Sequence, residues 1–195
     1  MTNENEMFVT TPLQSLMAAS TESGQVVEFL TERPFCSKIS IRGDSSNAAF
    51  RAVFETLSLS LPVEANTVSH SGSTALFWMG PDEWLLHSDV PASELCDQLR
   101  TALLGIHSAI VDVSDYYTII RLQTEHAREI LARSTPFDLH GDEFVAGRCA
   151  QTKLGNAACL LHAIDESGTV DVQVRWSYAE YLWLLLVSGA RSFDL

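Results

Sequence analysis

The sequence predicts an α+β fold of two similar strand–helix–hairpin–helix units, each with a mainly antiparallel sheet carrying helices on one face. Three observations lead there. The same element order is met twice along the 195 residues. Turn signatures, Gly80-Pro81-Asp82 in the first half and Glu166-Ser167-Gly168 in the second, each join two short apolar runs. Residues alternate between two faces in the run that opens the first unit and the run that closes the second hairpin, the period of a strand.

In chain order, residues 1–37 are the least patterned. Thr, Ser and Glu dominate up to residue 24, with apolar patches at Leu13, Leu16 and Met17, so this stretch is expected to be a partly disordered arm. The first unit is placed at 38–115. Residues 38–42 alternate as a strand, and Ser45 or Ser46 is positioned to cap a helix whose Phe50, Val53, Phe54 and Leu57 share a face. Runs 74–79 and 83–88 form a hairpin. Pro91 suits the start of a helix bearing Leu95, Leu99, Ala102 and Leu103, Gly105 suits its exit, and 108–113 is a strand.

The second unit is placed at 116–195. A strand at 117–122 precedes a helix capped by Thr124, with Ala127, Ile130 and Leu131 inward, and 135–150 reads as a loop or irregular segment. Runs 154–164 and 170–176 form the second hairpin, with Val170, Val172, Val174 and Trp176 on one face and Asp171, Gln173 and Arg175 on the other. Ser177 and Glu180 have capping-box spacing before a helix expected to bury Tyr181, Leu182, Leu185 and Leu186.

Composition narrows the function. With 46% hydrophobic residues the chain can build a core without disulfide or metal. Its 25 acidic against 12 basic residues give −13, which argues against nucleic acid and anionic membranes, since phosphate binding needs clustered cations. The longest apolar run, 181–187, is far short of the ~20 residues of a membrane span. The opening MTNENEM has neither the basic nor the apolar region of a signal peptide, so a cytoplasmic location is expected. Cys36, Cys96, Cys149 and Cys159 lack CxxC spacing and are expected as reduced, buried thiols.

Chemistry-bearing motifs are sparse. GxGxxG, GxxxxGK[ST], GxSxG, HExxH and EF-hand patterns do not occur. Asp138, His140, Asp142 and Glu143 form a compact polar cluster, but loop neighbours rarely converge on one ion, and a solvated loop is the better reading. Asp112, Ser114 and Asp115 lie at a strand end, where Ser and Asp make turns by bonding the backbone. Arg148 beside Cys149 would favour a thiolate, yet no base accompanies it, and a buried structural thiol is expected. Trp78, Trp84, Trp176 and Trp183 are expected in the core, save one at a contact surface. No catalytic, cofactor-binding or metal-ligating residue is assigned.

Five motifs in order carry a resemblance. They are Gly80-Pro81-Asp82-Glu83-Trp84-Leu85-Leu86, Val111-Asp112-Val113-Ser114-Asp115, Ala127-Arg128-Glu129-Ile130-Leu131, Phe137-Asp138-Leu139-His140, and Cys149-Ala150-Gln151-Thr152 with Leu154-Gly155. From about residue 38 onward the chain resembles the gamma subunits of heterotetrameric sarcosine oxidase. The resemblance implies ferredoxin-like units similar to the folate-binding region of the glycine-cleavage T-protein. It also implies alpha, beta and delta subunits as partners in oxidising sarcosine to glycine with oxygen, giving hydrogen peroxide and methylene-tetrahydrofolate. FAD, NAD, FMN, tetrahydrofolate and zinc are then expected in the other subunits and none in this chain, which would serve assembly. The alternative is a free-standing folate-binding or aminomethyltransferase-like protein of the T-protein superfamily.

Overall fold

The structure, a computed structural model, describes residues 10–22, 28–141 and 143–193. The elements are α1 (Gln14–Glu22), β1 (Leu30–Glu32), β2 (Ser37–Gly43), α2 (Ala48–Glu55), β3 (Val68–Ser71), β4 (Thr74–Gly80), β5 (Glu83–Ser88), α3 (Ala92–Ala102), β6 (Ser108–Asp112), β7 (Tyr117–Leu122), α4 (Ala127–Ala132), β8 (Cys149–Leu154), β9 (Ala157–Ala163), β10 (Val170–Arg175) and α5 (Ala179–Ala190). They form two antiparallel five-stranded sheets, β3-β4-β5-β2-β6 and β1-β7-β10-β9-β8.

The two sheets are built alike, with one exchange. In each, a strand–helix–three-strand–helix unit supplies four strands, and a strand lying before the other unit supplies the fifth. β6, which precedes the second unit, pairs with β2 (Ile39 opposite Asp112), whereas β1, which precedes the first unit, pairs with β7 (Leu30 opposite Leu122).

Each sheet is covered by helices on its outer face. Ile39, Ile41, Leu76, Trp84 and Leu86 pack with Phe50, Phe54, Leu95 and Leu99. In the second unit, Ile120, Leu161, Val170, Val172 and Val174 pack with Ile130, Leu131, Leu182 and Leu186, and Leu13 beside α1 enters this same core fully buried. The inner faces meet through Phe77, Leu85, Cys149 and Leu160. A β-type bridge between Thr67 and Arg148 and a bond from Gln151 Nε2 to the Met79 carbonyl (2.7 Å) join the two halves at one edge.

Local chemistry explains the element ends. Asn47, not Ser45 or Ser46, caps α2, its Oδ1 accepting from Ala49 N at 2.9 Å and Phe50 N at 3.3 Å; Asp44 Oδ1 binds Ser46 N instead. Phe50 lies so close to Gly43 that a Cβ there would fall 2.2 Å from its ring, so only glycine fits. Thr124 Oγ1 accepts from His126 N at 3.2 Å, ahead of the one-and-a-half-turn α4. Trp84 is fully buried and donates Nε1–H to the Pro62 carbonyl at 2.8 Å, and Trp183 is buried too, while Trp78 and Trp176 are half-buried.

Several expectations need correction. β3 and β8 are additional strands, each tied to its neighbour by a tight turn with a left-handed glycine, Gly72 and Gly155, both at φ +56°. Each turn completes a three-stranded meander where a two-stranded hairpin was expected. The Ser177–Glu180 capping box does not form, because residues 176–178 make a 3₁₀ turn and α5 starts at Ala179 with no side-chain cap. Tyr181 is exposed, Leu185 is half-buried, and Trp183 takes the core place instead. Leu182→Ala is therefore expected to cost about 2–5 kcal/mol in denaturant unfolding, and Leu185→Ala clearly less; equal losses would contradict this packing.

Candidate functional site

The strands that face each other between the sheets carry polar residues on their inner sides. In a two-period strand, the outward-facing Leu86 and Val172 fix Leu85 and His87 of β5, and Asp171 and Gln173 of β10, on the inner face. His87, Asp171 and Gln173 border a cleft of about 400 Å³ between the sheets, together with Arg33, Phe77 and His162. His87, His162, Asp171 and Gln173 are all buried.

Aromatic contacts order the cleft. The Phe77 ring stands 4.6 Å from His87 and 5.0 Å from His162, centre to centre, and His70 stacks on His162 at 5.2 Å. Asp171 is the acceptor hub of the charged end. Arg121 donates to it from Nε (2.6 Å) and Nη2 (2.9 Å), and Arg33 Nη1 adds a third bond at 3.1 Å. Lys38 lies opposite His87 in the β2–β5 register, buried, with Nζ donating to the Cys36 carbonyl at 3.0 Å. Burial, aided by the Lys38 charge, pushes the His87 pKa down to about 3, and burial pushes His162 down to about 4. Both imidazoles are neutral at pH 7, each with one N–H to donate.

The residues singled out from sequence do not meet in this cleft. Asp112 Oδ1 accepts from Ser114 N (3.0 Å) and Oγ (2.5 Å), a turn between β6 and β7, with Asp115 exposed nearby. Asp138 Oδ1 accepts from His140 N at 2.9 Å, and Glu143 pairs with Arg148 at 3.6 Å. Asp142 lies outside the described residues. Among the described residues no group of three His, Cys, Asp or Glu is placed to hold a metal ion. Burial raises the Cys149 pKa to about 12 against the opposing Arg148, so proximity to arginine does not make a thiolate. All four cysteines are free and buried, and no described helix is long and apolar enough to cross a membrane.

The profile of the sarcosine oxidase, gamma subunit family matches residues 42–191. The chain belongs to this family. It is 29% identical to the sarcosine oxidase subunit gamma of Corynebacterium sp. (strain U-96) over 183 residues, 93% of this chain and 88% of the relative. To the subunit gamma of Arthrobacter sp. it is 31% identical over 150 residues, 76% and 72% of the two chains. Among solved structures, a chain of the heterotetrameric sarcosine oxidase from Corynebacterium sp. U-96, in complex with pyrrole 2-carboxylate, superposes with TM-score 0.84 and 27% identity over 95% of this chain and 96% of that one. Glycine cleavage system aminomethyltransferase T from Bartonella henselae shares the fold, with TM-score 0.58 at 16% identity, and the match takes in 46% of its length. The expected fold class and its T-protein likeness hold. The free-standing alternative is not favoured beside the gamma-subunit match.

For this gamma-subunit-family chain, sequence reasoning missed the inter-sheet cleft. Arg33, His87 and His162 come from three separate segments without mutual spacing. The one available signal was the polar alternation at Asp171 and Gln173 in β10, a strand whose opposite face is wholly apolar.

Proposed function

We propose that this chain is an assembly subunit of a sarcosine oxidase, a complex that oxidises sarcosine to glycine with oxygen, giving hydrogen peroxide and methylene-tetrahydrofolate. The observation that carries the reading is the near full-length superposition on a chain of a heterotetrameric sarcosine oxidase. Its partners are then alpha, beta and delta subunits, which hold FAD, NAD, FMN, tetrahydrofolate and zinc, and its own residues perform no chemical step.

The surface supports a partner. Along α5 and the turn before it, Tyr178, Tyr181 and Leu184 are exposed at three-residue spacing, one helix face, with Leu184 54% exposed. Aromatic residues on such a face are enriched at interfaces. Leu184→Glu is expected to leave the melting of the isolated chain unchanged and to lower its recovery with the co-expressed alpha, beta and delta subunits severalfold. Unimpaired co-purification would remove this face from the interface.

The decisive test is turnover of the assembled oxidase. Asp112→Asn, Asp115→Asn, His140→Gln and Cys149→Ala should each stay within a few-fold of wild type, whereas omitting the chain should lower yield or stability of the complex. A variant that assembles normally yet loses more than about a hundredfold, the size of a lost acid–base group, would refute the non-catalytic role.

A further inference from the structure

Three residues that line the inter-sheet cleft each carry a buried polar atom with no hydrogen-bond partner: His87 Nε2, His162 Nε2 and Gln173 Oε1. The residues are only 8%, 8% and 4% exposed. His87 and Gln173 lie close enough for the amide to favour a proton on the imidazole, yet neither atom reaches hydrogen-bond geometry. Native proteins keep few buried polar groups unpaired, because each has given up water and gained nothing. Three around one cleft, beside apolar Phe77, Ala75 and Leu160, match the usual make-up of a small-molecule pocket: apolar walls and a few convergent polar groups. A volume of about 400 Å³ lies in the ordinary range for such pockets.

Charge selects the ligand class. Asp171 is shared by two arginines, and Arg33 places one N–H on it, so the charged end of the cleft has a positive surplus. Lys38 beside His87 adds to it, and the exposed Asp89 at the rim is the one further carboxylate among the described residues that line the cleft. A cation would be repelled here. An anion would be held by Arg33 and by neutral imidazoles donating N–H, and Gln173 presents its NH₂ when its amide is turned over. In a chain of net charge −13, this is an internal site of opposite character.

We propose that the cleft binds a small monocarboxylate with an apolar body, its carboxylate accepting hydrogen bonds from His87, His162 and Arg33 while the body lies on Phe77, Ala75 and Leu160. The site is independent of the assembly role, and it forms entirely within this chain.

Titration calorimetry of the full-length chain at pH 7, with benzoate and its neutral isostere benzamide, tests it. Benzoate should bind saturably at one site per chain, at least tenfold tighter than benzamide. His162→Gln and Arg33→Met should each weaken benzoate at least tenfold. Should His162→Gln fail to fold, Arg33→Met still decides, since Arg33 is one-third exposed and Asp171 keeps its bidentate Arg121. Absent saturable benzoate binding, equal binding of benzamide, or wild-type affinity in the folded variants would each overturn the proposal.

Discussion

Trp84→Ala is expected to lower the unfolding free energy by about 3–5 kcal/mol, the range for truncating a large buried aromatic. The ring is fully buried at the centre of the first sheet, 5.5 Å from the Phe50 ring and in one cluster with Ile39, Leu86 and Leu95. Its loss leaves a cavity between sheet and helices, and it also strips the Pro62 carbonyl of its donor. Trp84→Phe should recover most of the packing but not that bond, and so fall about 1–3 kcal/mol below wild type. Urea unfolding followed by circular dichroism measures both; a loss under about 1 kcal/mol for Trp84→Ala would mean this core collapses around the gap.

Acid is expected to unfold the protein early. His87 and His162 titrate near 3 and 4 in the fold, against about 6.5 in an unfolded chain. Between those values the unfolded state binds more protons, so stability rises with pH through the window. It is complete above about pH 6.5 and declines as pH falls toward 4 for His162 and 3 for His87. At about 1.4 kcal/mol per pH unit per group, moving from pH 7 to pH 5 costs about 3–4 kcal/mol for the pair. Melting midpoints at the two pH values measure this, and the double variant His87→Gln with His162→Gln should flatten the difference. An unchanged acid slope in that variant would assign the sensitivity elsewhere.

These two results also mark what the sequence makes legible. Trp84 sits in a short apolar run after a Gly-Pro-Asp turn, and Phe50, Val53 and Phe54 repeat at helical spacing, so their burial follows from local pattern. Short polar strands do not announce themselves: β3 is Val-Ser-His-Ser and β8 is Cys-Ala-Gln-Thr-Lys-Leu, and pairing with β4 and β9 is what makes them strands. The capping box at Ser177 failed because spacing alone does not fix where a helix begins; the 3₁₀ turn at 176–178 takes up the first residues. The cleft was beyond reach for a further reason. Arg33 and Asp171 are 138 positions apart, and only the pairing of β1 and β10 on either side of β7 brings them to 3.1 Å.

The exchange of β1 and β6 between the sheets also sets a schedule for synthesis. The first sheet has all its strands once Asp112 is made, β6 arriving directly after the unit it completes. β1 precedes the other described strands, but its partner β7 begins about 85 residues later. At roughly 5–20 residues per second on the ribosome, that strand waits about 4–17 s with its hydrogen-bonding edge unoccupied while the rest of the chain emerges. An amino-terminal strand left open so long is a site that chaperones or a second nascent chain can reach before β7 does.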